Sequence, residues 1–231
     1  MNLNLIAKKP FFDLFYKTPC MPDLLRLAFN DAATGGPNSS IQFEEALAKP
    51  ENAGLKFALD SVKDFKNAGN HITHELSLSD LIQLGGYAAV EYCGGPAINF
   101  RMGREDASEP TASDALANPN AEQQLEHTGL TKEEIVALMG RRTLGFVPEA
   151  EDESRWCMNP YVFDNTYFQE LLNDDSNYVK MEDDLSLLED GELKEYVEQF
   201  ANDEEKFFEV FASAFSKLSE LTQEDKLLSE I

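Results

Sequence analysis

The chain has 231 residues, enough for one large domain or two small lobes with a substantial core. Its 43 acidic and 19 basic residues give a formal net charge of −24 at pH 7, which repels nucleic acid and anionic membrane surfaces and suits a cationic partner. Cys20, Cys93 and Cys157 are odd in number and far apart, so they indicate neither a disulfide framework nor a zinc motif. No apolar run is long enough to span a bilayer.

Helical periodicity predicts an all-α protein. Ser77 is predicted to cap a buried central helix that stops at Gly94–Pro96, and Thr131 with Glu134 predicts a capping box. Strand-like alternation is nearly absent, and a turn-rich segment at residues 107–124 indicates a soft division of the chain. In chain order, the predicted helical segments are PDLLRLAFNDA, NAGLKFALDSVKDF, SLSDLIQLGGYAAVEYC, TKEEIVALMGRRTLG, FDNTYFQELL and LKEYVEQFANDEEKFFEVFASAFSKLSEL.

Several stretches together resemble the haem peroxidases of the ascorbate peroxidase and cytochrome c peroxidase class. They occur in family order from about Leu24 to Leu221 and include LLRLAFNDAATGGPNSSI, LSDLIQLGGYAAVEYCGGPAINFRMGRED, GLTKEEIVALMGRRTLG and NPYVFDNTYFQELL. The resemblance implies an all-α haem-peroxidase fold. It predicts one domain over residues 1–231, with a distal lobe at about 1–110 and a proximal lobe at about 120–231 on either side of a haem cleft.

On the distal side of the haem, the family places an arginine, an aromatic residue and a histidine in the pattern Arg-x-x-aromatic-His-Asp. The matching positions here are Arg26, Phe29 and Asn30. An amide does not titrate near neutral pH, so Asn30 cannot carry the proton of a peroxide. Asn52 matches the asparagine that orients the distal histidine in the family, and here it has no imidazole to orient.

On the proximal side, the family has Gly-Gly-His-Thr-Leu-Gly, whose histidine ligates the iron. Arg142 stands at the ligand position, and a guanidinium has no lone pair to donate to iron. Trp156 and Asp184 match the proximal tryptophan and the aspartate that holds the proximal histidine. We expect Arg142 to pair with Asp184, because a buried arginine needs a partner, and Arg141 to face solvent. The alternative is a surface Arg142 at a helix C-terminus.

No other histidine is expected to replace the missing ligand, since His71, His74 and His127 are interpreted as solvated residues away from the haem. The family's ascorbate site is also altered, with Thr18 at its lysine position and Arg155 displaced from its arginine position. A dry cleft of roughly 300–1,000 Å³ would cost on the order of 10 kcal/mol or more. The cleft is therefore expected to contract, to fill with water or to hold another molecule.

These differences predict a haem-free, non-catalytic protein that is not an enzyme and has no catalytic, cofactor-binding or metal-binding residues. The chain resembles the ascorbate-peroxidase-like protein of the thylakoid lumen. That resemblance implies an accessory subunit of a photosystem, peripheral to the membrane, with protein subunits as partners and no nucleic acid. An accessory subunit of a mitochondrial respiratory complex is the alternative. Two further hypotheses are a haem peroxidase with unusual ligands and a small-molecule sensor that uses the cleft for ascorbate or a tetrapyrrole.

Overall fold

The computed structural model describes residues 3–68, 74–111, 113–148 and 154–228. Within these ranges the regular elements are helices, apart from one isolated antiparallel bridge, which confirms the predicted all-α class. The α-helices are α1 (Leu3–Lys17), α2 (Met21–Ala33), α3 (Glu44–Leu47), α4 (Lys56–Asn67), α5 (Leu78–Tyr92), α6 (Ala121–Leu125), α7 (Lys132–Met139), α8 (Thr166–Leu172), α9 (Glu182–Glu189), α10 (Gly191–Asn202) and α11 (Glu204–Glu220).

The central helix α5 is buried on nearly every side, as its apolar sequence predicts. The Ser77 hydroxyl accepts a hydrogen bond from the backbone N–H of Asp80 and caps the start of the helix. Gly86 faces α2, where an added Cβ would lie 2.5 Å from the Cβ of Ala28. The two helices therefore pack with their backbones in close approach, and the other side of α2 lines a cleft.

A second group of helices, α7, α8, α10 and α11, packs around a cluster of phenylalanine rings. The ring centroids of Phe163, Phe168 and Phe200 lie 5.6, 5.0 and 5.9 Å from that of Phe207. Tilted and edge-on aromatic pairs contribute about 0.5–1.5 kcal/mol each beyond the area that they bury. This cluster forms the rigid support for the turn that follows α7.

The long C-terminal helical segment is divided, although the sequence predicts it as one. Helices α10 and α11 meet at Asp203, whose side chain accepts a hydrogen bond from the backbone N–H of Lys206 and so caps α11. In α11, Phe211 and Phe215 are buried, while Phe208 is only partly buried. Helix α1, which periodicity did not predict, buries Phe11 against α5.

The apolar core is continuous across the described residues and includes side chains from both predicted lobes. The boundaries of a distal and a proximal lobe stay a prediction. None of the described helices combines the length and the apolar character that crossing a lipid bilayer requires.

Candidate functional site

One wall of the cleft is formed by α2, which carries three of the predicted site residues. Phe29 is fully buried, and Arg26 lies one turn earlier, with its Nη2 donating to the carbonyl oxygen of Ala53 at 2.6 Å. Asn30 donates from Nδ2 to Oδ1 of Asn52 at 2.9 Å. Asn52 thus has an amide partner where the family resemblance implies an imidazole.

The opposite wall begins where α7 ends. The predicted capping box at its start is confirmed: the backbone N–H of Glu134 donates to Oγ1 of Thr131 at 3.3 Å, and Glu134 Oε2 accepts from the N–H of Thr131 at 2.9 Å. At Gly140 an added Cβ would lie 2.6 Å from the ring of Phe207, so only glycine fits. A tight 3-10 turn over Gly140–Thr143 then places two arginines at the cleft.

Arg142 turns inward and pairs with two buried carboxylates. Its Nη1 and Nη2 donate to Oδ1 and Oδ2 of Asp183 at 2.8 and 2.7 Å, and Nη1 also donates to Oδ1 of Asp184. The Arg142 side chain is only 11% exposed. The predicted pairing with Asp184 is therefore confirmed, while the bidentate partner Asp183 was not predicted.

Further hydrogen bonds complete this cluster. The hydroxyl of Tyr167 donates to Oδ1 of Asp184 at 2.6 Å, and the side-chain amide of Gln124 donates to Oδ2 of Asp183 at 3.0 Å. Burial by itself would raise the pKa of Asp183, but the adjacent Arg142 guanidinium holds it below its usual value. Burial and the charge of Asp184 raise the pKa of Tyr167 well above its usual value, so this hydroxyl stays a donor.

Arg141 is not the solvent-facing residue that the sequence predicts. Its guanidinium carbon lies 3.6 Å from the centroid of the Phe29 ring, across the cleft from its own turn. Its Nη1 donates to the carbonyl oxygen of Leu138 at 3.1 Å. Within the described ranges no carboxylate lies within ion-pair distance of this group. Burial, and then the charge of Arg142, lower the pKa of Arg141 to about 9.

The two walls enclose a cavity of about 930 Å³. The cleft has therefore not collapsed, and its charged lining makes it a solvated site rather than a dry void. From the α2 side it is lined by Pro22, Arg26 and Asn30, and from the other side by Arg141 and Phe146. Its volume lies in the range of ligand-binding pockets.

Trp156 lies beside Arg142, with the guanidinium carbon 5.5 Å from the ring centroid. It is 6% exposed, and its indole Nε1 has no hydrogen-bond partner. Asp184, which the resemblance places in the same proximal cluster, is occupied instead by Arg142, Tyr167 and the backbone N–H of Met181. These donors thus take up the carboxylate oxygens of Asp184, and the indole of Trp156 is left without an acceptor.

The family implies a haem in this cleft, and the residues present do not fit one held by a protein ligand. Arg142 has no electron pair for iron and is tied to Asp183 and Asp184. The guanidinium of Arg141 stacks on Phe29, the aromatic residue that the family places over the haem. Met181, which is 38% exposed, also lines the cavity, but its thioether does not stand at the position of the family's ligand.

Other potential ligands lie elsewhere. His74 and His127 are exposed and do not line the cavity, and His71 lies outside the described residues. The three cysteines are buried and free, and burial raises the pKa of Cys93 to about 12, so this thiol stays protonated. These residues therefore offer no replacement for the histidine that the family uses.

Comparison with known proteins agrees with the helical fold. The family model described as Peroxidase matches residues 7–203. The chain is 41% identical over 232 residues to the probable L-ascorbate peroxidase 4, peroxisomal, of Oryza sativa subsp. japonica, covering 93% of this chain and 78% of the relative. It is 36% identical over 240 residues to the cytosolic L-ascorbate peroxidase 2 of Arabidopsis thaliana, covering 95% of this chain and 92% of the relative. The chain therefore belongs to the peroxidase family, in its ascorbate peroxidase-like group.

Two predictions need revision in view of these relatives. The prediction that the chain is not an enzyme is wrong. Relatives that are 36–41% identical to it over most of its length are named L-ascorbate peroxidases, which are enzymes. The relatives are named as peroxisomal or cytosolic, so they do not support a thylakoid-lumen location. The functional consequence of the changes at Asn30 and Arg142 stays a prediction.

Proposed function

We propose that this chain acts on a small organic anion that binds directly to protein groups in the cleft. Ascorbate, which the names of the relatives contain, is the first candidate. The observation that carries the proposal is the position of Arg141, whose cation lies in the cavity on Phe29 with no carboxylate partner among the described residues. A partly buried cation of this kind gains from an anion that takes the place of lost water.

The rest of the lining favours an organic acid over an inorganic ion. Pro22, Leu25, Leu144 and Phe146 give the cavity an apolar surface on which a carbon skeleton can pack. The other proximal arginine, Arg142, is already neutralised by its two aspartates. Arg141 is therefore the arginine at this end of the cleft that is available to a ligand, while the other lining cation, Lys180, donates to a backbone carbonyl oxygen.

Replacing Arg141 with glutamine is expected to weaken ascorbate binding at least about tenfold, because a hydrogen bond to a charged group contributes about 1.5–3 kcal/mol. Isothermal titration calorimetry of ascorbate into the wild type and R141Q measures this. K9Q, which removes the same charge from an exposed pair on α1, is the matched control and is expected to bind like the wild type. Equal affinity in R141Q, or no saturable binding by the wild type, would contradict the proposal.

A role as an accessory subunit of a membrane-associated complex is a second candidate. The large net charge and a set of exposed apolar side chains support it, with Tyr16 86% and Met158 70% exposed. A photosystem on the lumenal side of the thylakoid and a mitochondrial respiratory complex are the two candidate assemblies. Both the partner subunits and the chloroplast or mitochondrial location stay predictions.

A further inference from the structure

The cleft holds a second cation with unused hydrogen-bonding capacity. Arg26 lines the same cavity as Arg141, and its Nη1 is buried without a hydrogen-bond partner. The nearest carboxylate is that of Asp23, 3.7 Å away and 44% exposed, which is a weak and solvent-screened pair. Although Nη1 itself is covered, the Arg26 side chain is 21% exposed, so an anion in the cavity can reach the accessible part of the guanidinium.

Arg26 and Arg141 come from opposite walls of the cleft and line the same cavity. Arg141 stacks on Phe29, and Arg26 precedes Phe29 by three positions on the same helix. Residues at this spacing are neighbours on a helix surface, with roughly 5–6 Å between their Cβ atoms. Both arginines therefore line the part of the cavity that lies at this turn of α2.

The remaining charges limit the number of acids that the cleft accepts. Arg142 is paired with two aspartates, and the acidic side chains of Asp23, Glu51 and Glu182 also line the cavity. Lys180 lines it as well, and its Nζ donates to a backbone carbonyl oxygen at 2.7 Å. A third acid group on a ligand would therefore meet mostly carboxylates. The cleft thus offers two anion positions and an apolar surface beside them.

We propose that the ligand of this cleft is a short-chain dianion, such as a dicarboxylate, which binds one acid group to Arg26 and the other to Arg141. This inference rests on the proposed function, a small organic anion in the cleft, and makes a dianion the preferred ligand over ascorbate, which is a monoanion near neutral pH. A ligand held in this way bridges α2 and the turn after α7. A monoanion engages one arginine only and binds more weakly.

The single tryptophan of the chain, Trp156, lines the cavity and provides the readout. We would titrate the wild type, R26Q, R141Q and the control K9Q with malonate, succinate, glutarate, adipate and the monoacid butyrate, following tryptophan fluorescence. In the wild type and K9Q, the best dicarboxylate is expected to bind at least about tenfold more tightly than butyrate. In R26Q and R141Q this preference is expected to disappear, while R26K, which keeps the charge, retains most of it.

A competition experiment separates this inference from the proposed function. The best dicarboxylate is expected to displace ascorbate, measured by calorimetry in its presence. If ascorbate binds but dicarboxylates bind no better than butyrate, or bind without competing, the dianion inference is overturned and the proposed function stands. If neither ligand class binds the wild type, both are overturned. Urea unfolding of each variant identifies any loss of affinity that reflects a loss of folded protein.

Discussion

Replacing Arg142 with alanine is expected to lower the free energy of unfolding by about 3–5 kcal/mol, because it leaves two buried carboxylates without their cation. The side chains of Asp183 and Asp184 are 8% and 1% exposed, so both carboxylates depend on protein donors for most of their hydrogen bonds. The ring of Trp156 would also lose the group that packs beside it. Urea unfolding at pH 7 measures the effect.

The loss of unfolding free energy in R142A is expected to depend on pH, with a direction set by the pKa of Asp183. Because Arg142 holds the pKa of Asp183 below its usual value, the pair stabilises the fold above the unfolded pKa of 3.8. The stabilisation is lost as the pH falls through the lower pKa of the folded state. The penalty of R142A is therefore expected to shrink in acid.

The matched control for this experiment is K9A, which breaks the exposed pair between Lys9 and Asp13 on α1. Pairs of this kind contribute about 0.3–0.5 kcal/mol, so K9A is expected to unfold nearly like the wild type. A loss of less than about 1 kcal/mol in R142A at pH 7 would show that the cluster around Asp183 and Asp184 does not need its arginine.

The double replacement R141G/R142H is expected to bind haem at least about a hundredfold more tightly than the wild type. Histidine at position 142 supplies a nitrogen lone pair next to Asp184, an arrangement that fixes the orientation of a ligating imidazole. Glycine at position 141 removes the guanidinium that stacks on Phe29. The variant also restores the family's Gly-Gly-His sequence after α7. Absorbance titration with haemin, following the Soret band, measures the affinity.

Two control variants distinguish the effect of the space opened by removing the arginine side chains from the effect of an iron ligand at position 142. R141G/R142A opens the same space without a ligand, and R142H supplies the ligand but leaves Arg141 on the Phe29 ring. Both are expected to bind haem more weakly than R141G/R142H. If R141G/R142A binds haem as tightly as R141G/R142H, then the lack of a ligand at residue 142 is not what limits haem binding in this chain.

Much of the helical framework could be predicted from the sequence because its signals are local. Periodicity and caps identified α5 and α7, since Ser77 and Thr131 act within their own first turns. The sequence does not predict the division of the C-terminal helical segment at Asp203, because apolar residues at helical spacing continue beyond it. Helix α1 was missed because its apolar residues show little helical periodicity.

The candidate site was predictable only in part, because it depends on contacts between distant segments. The pairing of Arg142 with Asp184 followed from the need of a buried arginine for a partner. The adjacent Asp183 gave a signal as a second acid in the same run, but its bidentate geometry depends on how α9 approaches the turn after α7. The position of Arg141 on Phe29 joins two walls of the cleft and has no signal in local sequence.

The most direct measurement of the central claim is a haem titration of the wild-type protein. The claim is that Arg141 and Arg142 occupy the positions where the family holds its cofactor, and that they leave a cleft for an anion. We expect haemin to give no saturable, one-to-one Soret shift with the wild type and no change in its unfolding midpoint. A stoichiometric complex whose iron is ligated by a side chain of this protein would contradict the claim.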